Sequence, residues 1–157
     1  RDAQALEICR TFIARRPGTV PAGRASDAVV AFQDLLPTLL DAAGARVPAG
    51  IDGVSRLSLF EGRHASAQEA RLYMEFPAYG GQQMARRGRW KGVRQNLMKD
   101  PDAPIELYDL ERDPGETMDV AASHPETVAE LKAVMAREHQ PSKEFPFPAL
   151  DLPERAL

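Results

Sequence analysis

The chain has 157 residues, 43% hydrophobic and 27% charged, with 20 Lys plus Arg against 23 Asp plus Glu. That size fits one domain or a piece of a larger protein, and a net charge of −3 gives no global pull toward nucleic acid or a membrane surface. One cysteine, Cys9, excludes an intrachain disulfide framework, no apolar run reaches the ~18 residues that span a bilayer, and no stretch reads as a secretory signal.

Thirteen Pro and eleven Gly point to many short elements and turns. The chain starts on Arg1, in the middle of "RDAQALEICRTF", and is expected to be a fragment of a longer protein. "FIARRPG" (Phe12 to Gly18) reads as a short strand running into a Pro-Gly turn. "VVAFQDLLPTLLDAAG" has helical apolar spacing, but an interior Pro breaks a helix. It divides into a strand, Val29 to Gln33, and a helix from Leu35 to Ala43. Asp34 then falls near the N-cap, Pro37 in the first turn and Gly44 at the left-handed position after the helix. Val47 to Arg63 is a loop with two glycines, Gly50 and Gly53, then a short apolar patch.

Arg71 to Phe76 reads as a strand. Gln83 to Arg94 reads as two strands around a turn at Arg87-Gly88, with Gly88 supplying a positive φ. Ile105 to Leu110 is a further strand, with Ile105, Leu107 and Asp109 on one face and Glu106, Tyr108 and Leu110 on the other. Asp113-Pro114-Gly115 is turn chemistry, and Glu116 and Thr117 can cap the segment after it. Ser123 and Glu126 have capping-box spacing ahead of a helix over Pro125 to Glu138, where Val128, Leu131, Val134 and Met135 recur with helical period. The Pro-rich tail is expected to lie extended on the surface, anchored by Phe145 and Phe147. Together these elements predict an α+β unit.

Three constellations could carry chemistry. The first is the basic run Arg86, Arg87, Arg89, Lys91 and Arg94. A turn at Arg87-Gly88 would put Arg87, Arg89 and Lys91 on one face and Trp90 on the other, as an anion site or as a solvated face balanced by carboxylates. An acidic chain with one Trp argues against nucleic acid. The second is "YGGQQ", Tyr79 to Gln83, a loop whose glycines permit close approach and whose amides could meet a ligand, or a plain connector. The third is His64, His124 and His139, which lack metal-ligand spacing. His124 falls at a helix start and His139 near a helix end. The Asp-Pro-Gly-Glu turn reads as structural, and no catalytic set is visible.

The order of these motifs resembles the C-terminal part of a type I sulfatase, of the arylsulfatase or N-acetylgalactosamine-6-sulfatase-like kind. "FIARRPGTVPAG" is similar to that family's strand and Trp-Pro-Gly turn, with Arg16 in place of Trp. "SDAVVAFQDLLPTLLDAAG", "GIDGVSRLSLFEG" and "QQMARRGRWKGVR" resemble successive later segments. "ELYDLERDPGETMDVAASHPE" resembles its most recognisable C-terminal signature. The resemblance implies the end of an alkaline-phosphatase-like α/β domain over 1–65, then a C-terminal subdomain over 66–157, a small antiparallel sheet packed by a long C-terminal helix.

It also implies sulfate-ester hydrolysis by the intact enzyme. There a formylglycine hydrate attacks sulfur, Ca²⁺ neutralises developing charge, and Lys and His position the oxygens. The formylglycine arises from Cys in a Cys-x-Pro-x-Arg context; Cys9 precedes Arg10-Thr11-Phe12 and does not match. The nucleophile and metal site are therefore expected upstream, and this chain alone is expected to be inactive. Tyr79, Gln82, Gln83 and Arg86 are the candidates for a substrate-pocket wall facing a sulfated small molecule or glycan. The alternative is a stand-alone accessory module that binds sulfated or anionic ligands through Arg86 to Arg94. A bare strand edge at Phe12 to Arg15 would make the isolated chain self-associate.

Overall fold

The computed structural model describes residues 12–26, 28–63 and 71–151. The chain divides into two compact units, Arg1–Ala67 and Gln68–Leu157. Cys9 and His64 lie outside the described residues.

In the first unit, α1 (Leu35–Ala42) is preceded by a 3-10 turn, Phe32–Asp34, and followed by α2 (Leu57–Phe60). The expected strands at Phe12 to Arg15 and at Val29 to Gln33 are not formed. Both segments have apolar strand-like composition, but a strand exists through its ladder, and no described segment pairs with either. Helix α1 itself agrees with expectation, with Gly44 at φ +69 just past its end. Asp34 does not cap it through its side chain. The Asp34 carboxylate instead accepts the N–H of Ala31 (3.1 Å) and of Val54 (2.9 Å) and the Arg56 Nε–H (2.9 Å). Thr38 completes the knot: its hydroxyl donates to the Asp34 carbonyl at 2.5 Å and accepts the Arg56 N–H at 2.9 Å.

Gly53 makes this closure possible. A Cβ there would sit 1.9 Å from the Gln33 carbonyl oxygen, so only glycine lets the two backbones meet. Burial pushes the Asp34 carboxyl up. The Val54 and Ala31 amides and the Arg56 guanidinium outweigh it and hold it below the usual range.

The second unit is a four-stranded antiparallel meander, β1 (Arg71–Phe76), β2 (Gln82–Arg87), β3 (Trp90–Gln95) and β4 (Glu106–Asp109), in sequence order, with α3 (Pro125–Glu138) against one face. The hairpin closes through Gly88-Arg89, one residue later than the sequence suggested. Arg87 pairs with Trp90, and only Gly88 of the two turn residues has positive φ, as in a II′ turn.

The face under α3 carries Ala85, Leu107 and the half-buried Tyr73 and Trp90. They pack with Ile105 and with Leu131, Val134 and Met135 of the helix. Gly92 lies beneath the crossing, where a Cβ would be 3.0 Å from Ile105 Cγ2 and Leu131 Cδ1. The α3 N-terminus departs from the expected capping box. Ser123 ends a 3-10 turn, the N-cap is His124 with no side-chain cap bond, and the His124 ring tilts over Trp90 at 4.7 Å. Of the two expected tail anchors, Phe147 is buried with Leu97, Ala149 and Leu150, whereas Phe145 is 76% exposed. The tail is not extended at its end. Phe147 N–H donates to Asp151, and Asp151 N–H returns to the Phe147 carbonyl, which closes a turn.

Candidate functional site

Cross-strand partners share a face, so the register decides where each candidate points. Gln83 and Arg94 pair and face the helix; Arg86 and Lys91 pair and face away; Phe76, Gln82 and Gln95 form a row on that same far face.

The expected grouping of Arg87, Arg89 and Lys91 against Trp90 is therefore wrong. Moving the turn by one residue reverses the faces of everything after it. Arg87 is on the Trp90 side and donates to Glu130 at 2.5 Å. Arg89 lies over the Trp90 ring at 4.6 Å and near Glu111 and Asp109, at 3.4 and 3.7 Å. Lys91 is buried on the other face and donates to both Glu116 oxygens, at 2.6 and 2.7 Å. Arg94 is buried and donates to the carbonyls of Ala103 and Pro101 and to Gln83. Arg86 donates through Nε to the Gly88 carbonyl; burial lowers its pKa, and Glu116 opposes that.

The Asp-Pro-Gly-Glu turn explains itself physically. Asp113 accepts the amides of Thr117 (2.7 Å) and Met118 (2.8 Å) and the Thr117 hydroxyl (3.1 Å). Those bonds, the Met118 amide foremost, hold its carboxyl below the usual range. This coil turns Glu116 inward at φ +55, a costly conformation for a residue with a side chain. Glu116 does not cap the segment after it, as it could have; it supplies the counter-charge for Lys91.

A polar network unseen in the sequence occupies the helix side of the sheet near the end of α3. Arg94 donates to Gln83 (3.1 Å), Gln83 to the Tyr73 hydroxyl (2.9 Å), and Tyr73 to Glu75. Glu75 in turn meets His139 Nδ1 at 2.7 Å, and His139 Nε2 lies 3.1 Å from Asp151. Burial, against the Gln83 bond and with the Glu75 charge, pushes the Tyr73 phenol far up, so it stays a donor. No sequence period announces this chain of bonds, because its members come from β1, β2, β3, the end of α3 and the tail.

Of the four candidate wall residues, Gln83 is 2% exposed and its amide is spent in that network. Gln82 and Arg86 lie on the opposite face, and Tyr79 is 75% exposed in the loop before β2, its ring 5.9 Å from Phe76. The loop is braced from behind. Leu97 and Met98 amides donate to the Gly81 and Gly80 carbonyls, and the Phe147 ring packs where a Gly81 Cβ would be. Among the described residues no three His, Cys, Asp or Glu side chains converge to hold a metal ion.

The profile of the family described as N-sulphoglucosamine sulphohydrolase, C-terminal, matches residues 7–141. The chain belongs to that family. Arylsulfatase K of Mus musculus is 29% identical over 135 residues, a match that covers 74% of this chain and 24% of the relative. The chain thus spans about a quarter of that relative's length.

Among solved structures, the phosphonate monoester hydrolase of Silicibacter pomeroyi superposes with a TM-score of 0.61 at 25% identity, covering 88% of this chain and 29% of that one. A protein solved with its substrate D-glucosamine-2-N,6-O-disulfate superposes with a TM-score of 0.66 at 24% identity, covering 78% and 26%. The latter likeness is one of fold. The α+β arrangement is that of the C-terminal part of alkaline-phosphatase-like sulfatases, as the motif order led one to expect.

Proposed function

We propose that this chain is the C-terminal part of a hydrolase of sulfate esters, with a sulfated saccharide as substrate, and that it is inactive by itself. Family membership over residues 7–141 is the observation that carries the reading. On this reading residues 1–65 close the catalytic α/β domain and 66–157 form the C-terminal subdomain; the break between Ala67 and Gln68 supports that division. Formylglycine and Ca²⁺ would belong to the part of the enzyme upstream. The described residues do not fit a calcium site, since no carboxylate set converges, and they carry no step through the ion.

The contribution of this chain is a wall. Tyr79, Gln82 and Arg86 present to the substrate side, while Gln83 faces the helix and is bonded to Tyr73 and Arg94. Reading the chain as a stand-alone anion binder through Arg86 to Arg94 has less support, because each of those cations already has a carboxylate or carbonyl partner. Self-association of the isolated chain is supported by a different feature from the one expected. Phe32, Leu36 and Leu39 recur at helical spacing and are exposed.

The test is sulfate release from D-glucosamine 6-sulfate by the whole protein that carries this chain, with p-nitrophenyl phenylphosphonate as competitor chemistry. Sulfate release with little phosphonate cleavage is expected. Preference for the phosphonate would contradict the sulfate-ester reading and point instead to phosphonate-ester hydrolysis, the activity named for the Silicibacter pomeroyi enzyme of the same fold.

A further inference from the structure

We propose that the outer sheet face beside the Tyr79 loop is a pyranose-binding surface, which recognises the sugar ring of the substrate and not its sulfate. This rests on the proposed function only for the presence of a sugar; the surface itself is read from its chemistry.

Four observations meet there. Tyr79 is 75% exposed and held at φ +52, where a side chain is strained, although glycine would sit there freely. Its ring is stacked on Phe76 with an interplanar angle of 23°, so two aromatic faces form one apolar step open to solvent. The loop is not a loose one, because two backbone hydrogen bonds and the Phe147 ring hold its glycines from behind. Directly across from Phe76 come Gln82 and then Gln95, and Gln95 donates to Glu106, which also accepts the Tyr108 hydroxyl.

An aromatic step followed by two amides and a carboxylate matches the two sides of a pyranose. The axial C–H groups offer an apolar face to an aromatic ring, and the hydroxyls need neighbours that both donate and accept. An amide supplies both roles and a carboxylate accepts strongly. Gln82 makes no side-chain hydrogen bond to another described residue, and Gln95 keeps its amide oxygen and one N–H. An anion would be poorly served in this row, since Glu106 stands at its end. The sulfate is therefore left to the rest of the enzyme. A strained aromatic in a braced loop fits a binding role better than a folding one.

The experiment is saturation-transfer NMR on the whole protein that carries this chain, with three probes: D-glucosamine, D-glucosamine 6-sulfate and p-nitrophenyl sulfate. Both sugars are expected to receive saturation at ring C–H protons, and the aryl sulfate signal is expected to be the same in the parent protein and in Tyr79→Gly. Tyr79→Gly should abolish the sugar signals while raising the melting temperature by about 2–4 °C through relief of strain. Tyr79→Phe should retain them. Unchanged sugar signals in Tyr79→Gly, no sugar signal in the parent protein, or loss of the aryl sulfate signal together with the sugar signals in Tyr79→Gly would each overturn the proposal. The readout needs no turnover, so failure of the whole protein to release sulfate would sink the proposed function and leave this result standing.

Discussion

Glu116→Gln is the most informative single change in the second unit. The Lys91 side chain is 2% exposed, and Glu116 is its acidic partner, at 2.6 Å. The substitution keeps the side-chain shape and the φ of +55, so it removes charge and little else. Breaking a buried pair by neutralising one member leaves the other ion uncompensated, at a cost of about 3–5 kcal/mol. Glu116 is 21% exposed, which lets water reach the ammonium and favours the lower end, about 3 kcal/mol.

Lys91→Met removes the buried ion itself and should cost less than about 1 kcal/mol, because replacing a buried charge by a packed apolar chain is often neutral. The double variant should resemble Lys91→Met. Trp90 is the single tryptophan and lies beside Lys91 in β3, so its fluorescence in urea reports this sheet directly. Equal losses for Glu116→Gln and Lys91→Met, or a loss below about 0.5 kcal/mol for the former, would refute the reasoning.

Further changes address the packing and the acid limb. Gly53→Ala would drive a Cβ into the Gln33 carbonyl and should cost more than about 3 kcal/mol, seen as early melting of the first unit by hydrogen exchange. Gly92→Val should cost about 1–3 kcal/mol through overpacking against Ile105 and Leu131, measured by urea unfolding. Phe147→Ala should cost about 3–5 kcal/mol and free the tail to proteolysis after Pro141. Asp34 and Asp113 have folded-state pKa values below their unfolded ones. Their stabilisation is therefore present above about pH 4 and is lost as pH falls through the folded values. An acid titration in which Asp34→Asn unfolds at the same pH as the parent chain would contradict the role given to Asp34.

Much of the fold was legible because it is local. Strand β1 came out with its bounds, α1 and α3 from apolar spacing with Pro in the first turn, and the Asp113 turn from its own chemistry. What failed depended on partners. Val29 to Gln33 has strand composition, yet without a ladder it stays irregular and ends in a 3-10 turn. The faces of the basic hairpin failed on one residue of turn placement, since a period of two leaves no tolerance.

The proposed surface was half legible. Tyr79 and Gln82 were marked by the adjacent glycines, but Phe76, Gln95 and Glu106 join them only through the register of three strand pairs. The knot at Asp34 and the chain of bonds from Arg94 to Asp151 link residues far apart in sequence. Gly53 is the one local sign of either, and a single glycine in a loop has many explanations.

The central claim is that this chain is the C-terminal part of a sulfate-ester hydrolase whose nucleophile lies elsewhere in the polypeptide. The direct measurement is tandem mass spectrometry of the native protein, captured with an antibody raised against the 157-residue chain. The claim predicts a longer polypeptide, of which this chain makes about a quarter as it does of the mouse relative, carrying an upstream Cys-x-Pro-x-Arg peptide with its cysteine converted to formylglycine. A captured polypeptide no longer than this chain, or a longer one with no such peptide, would contradict it.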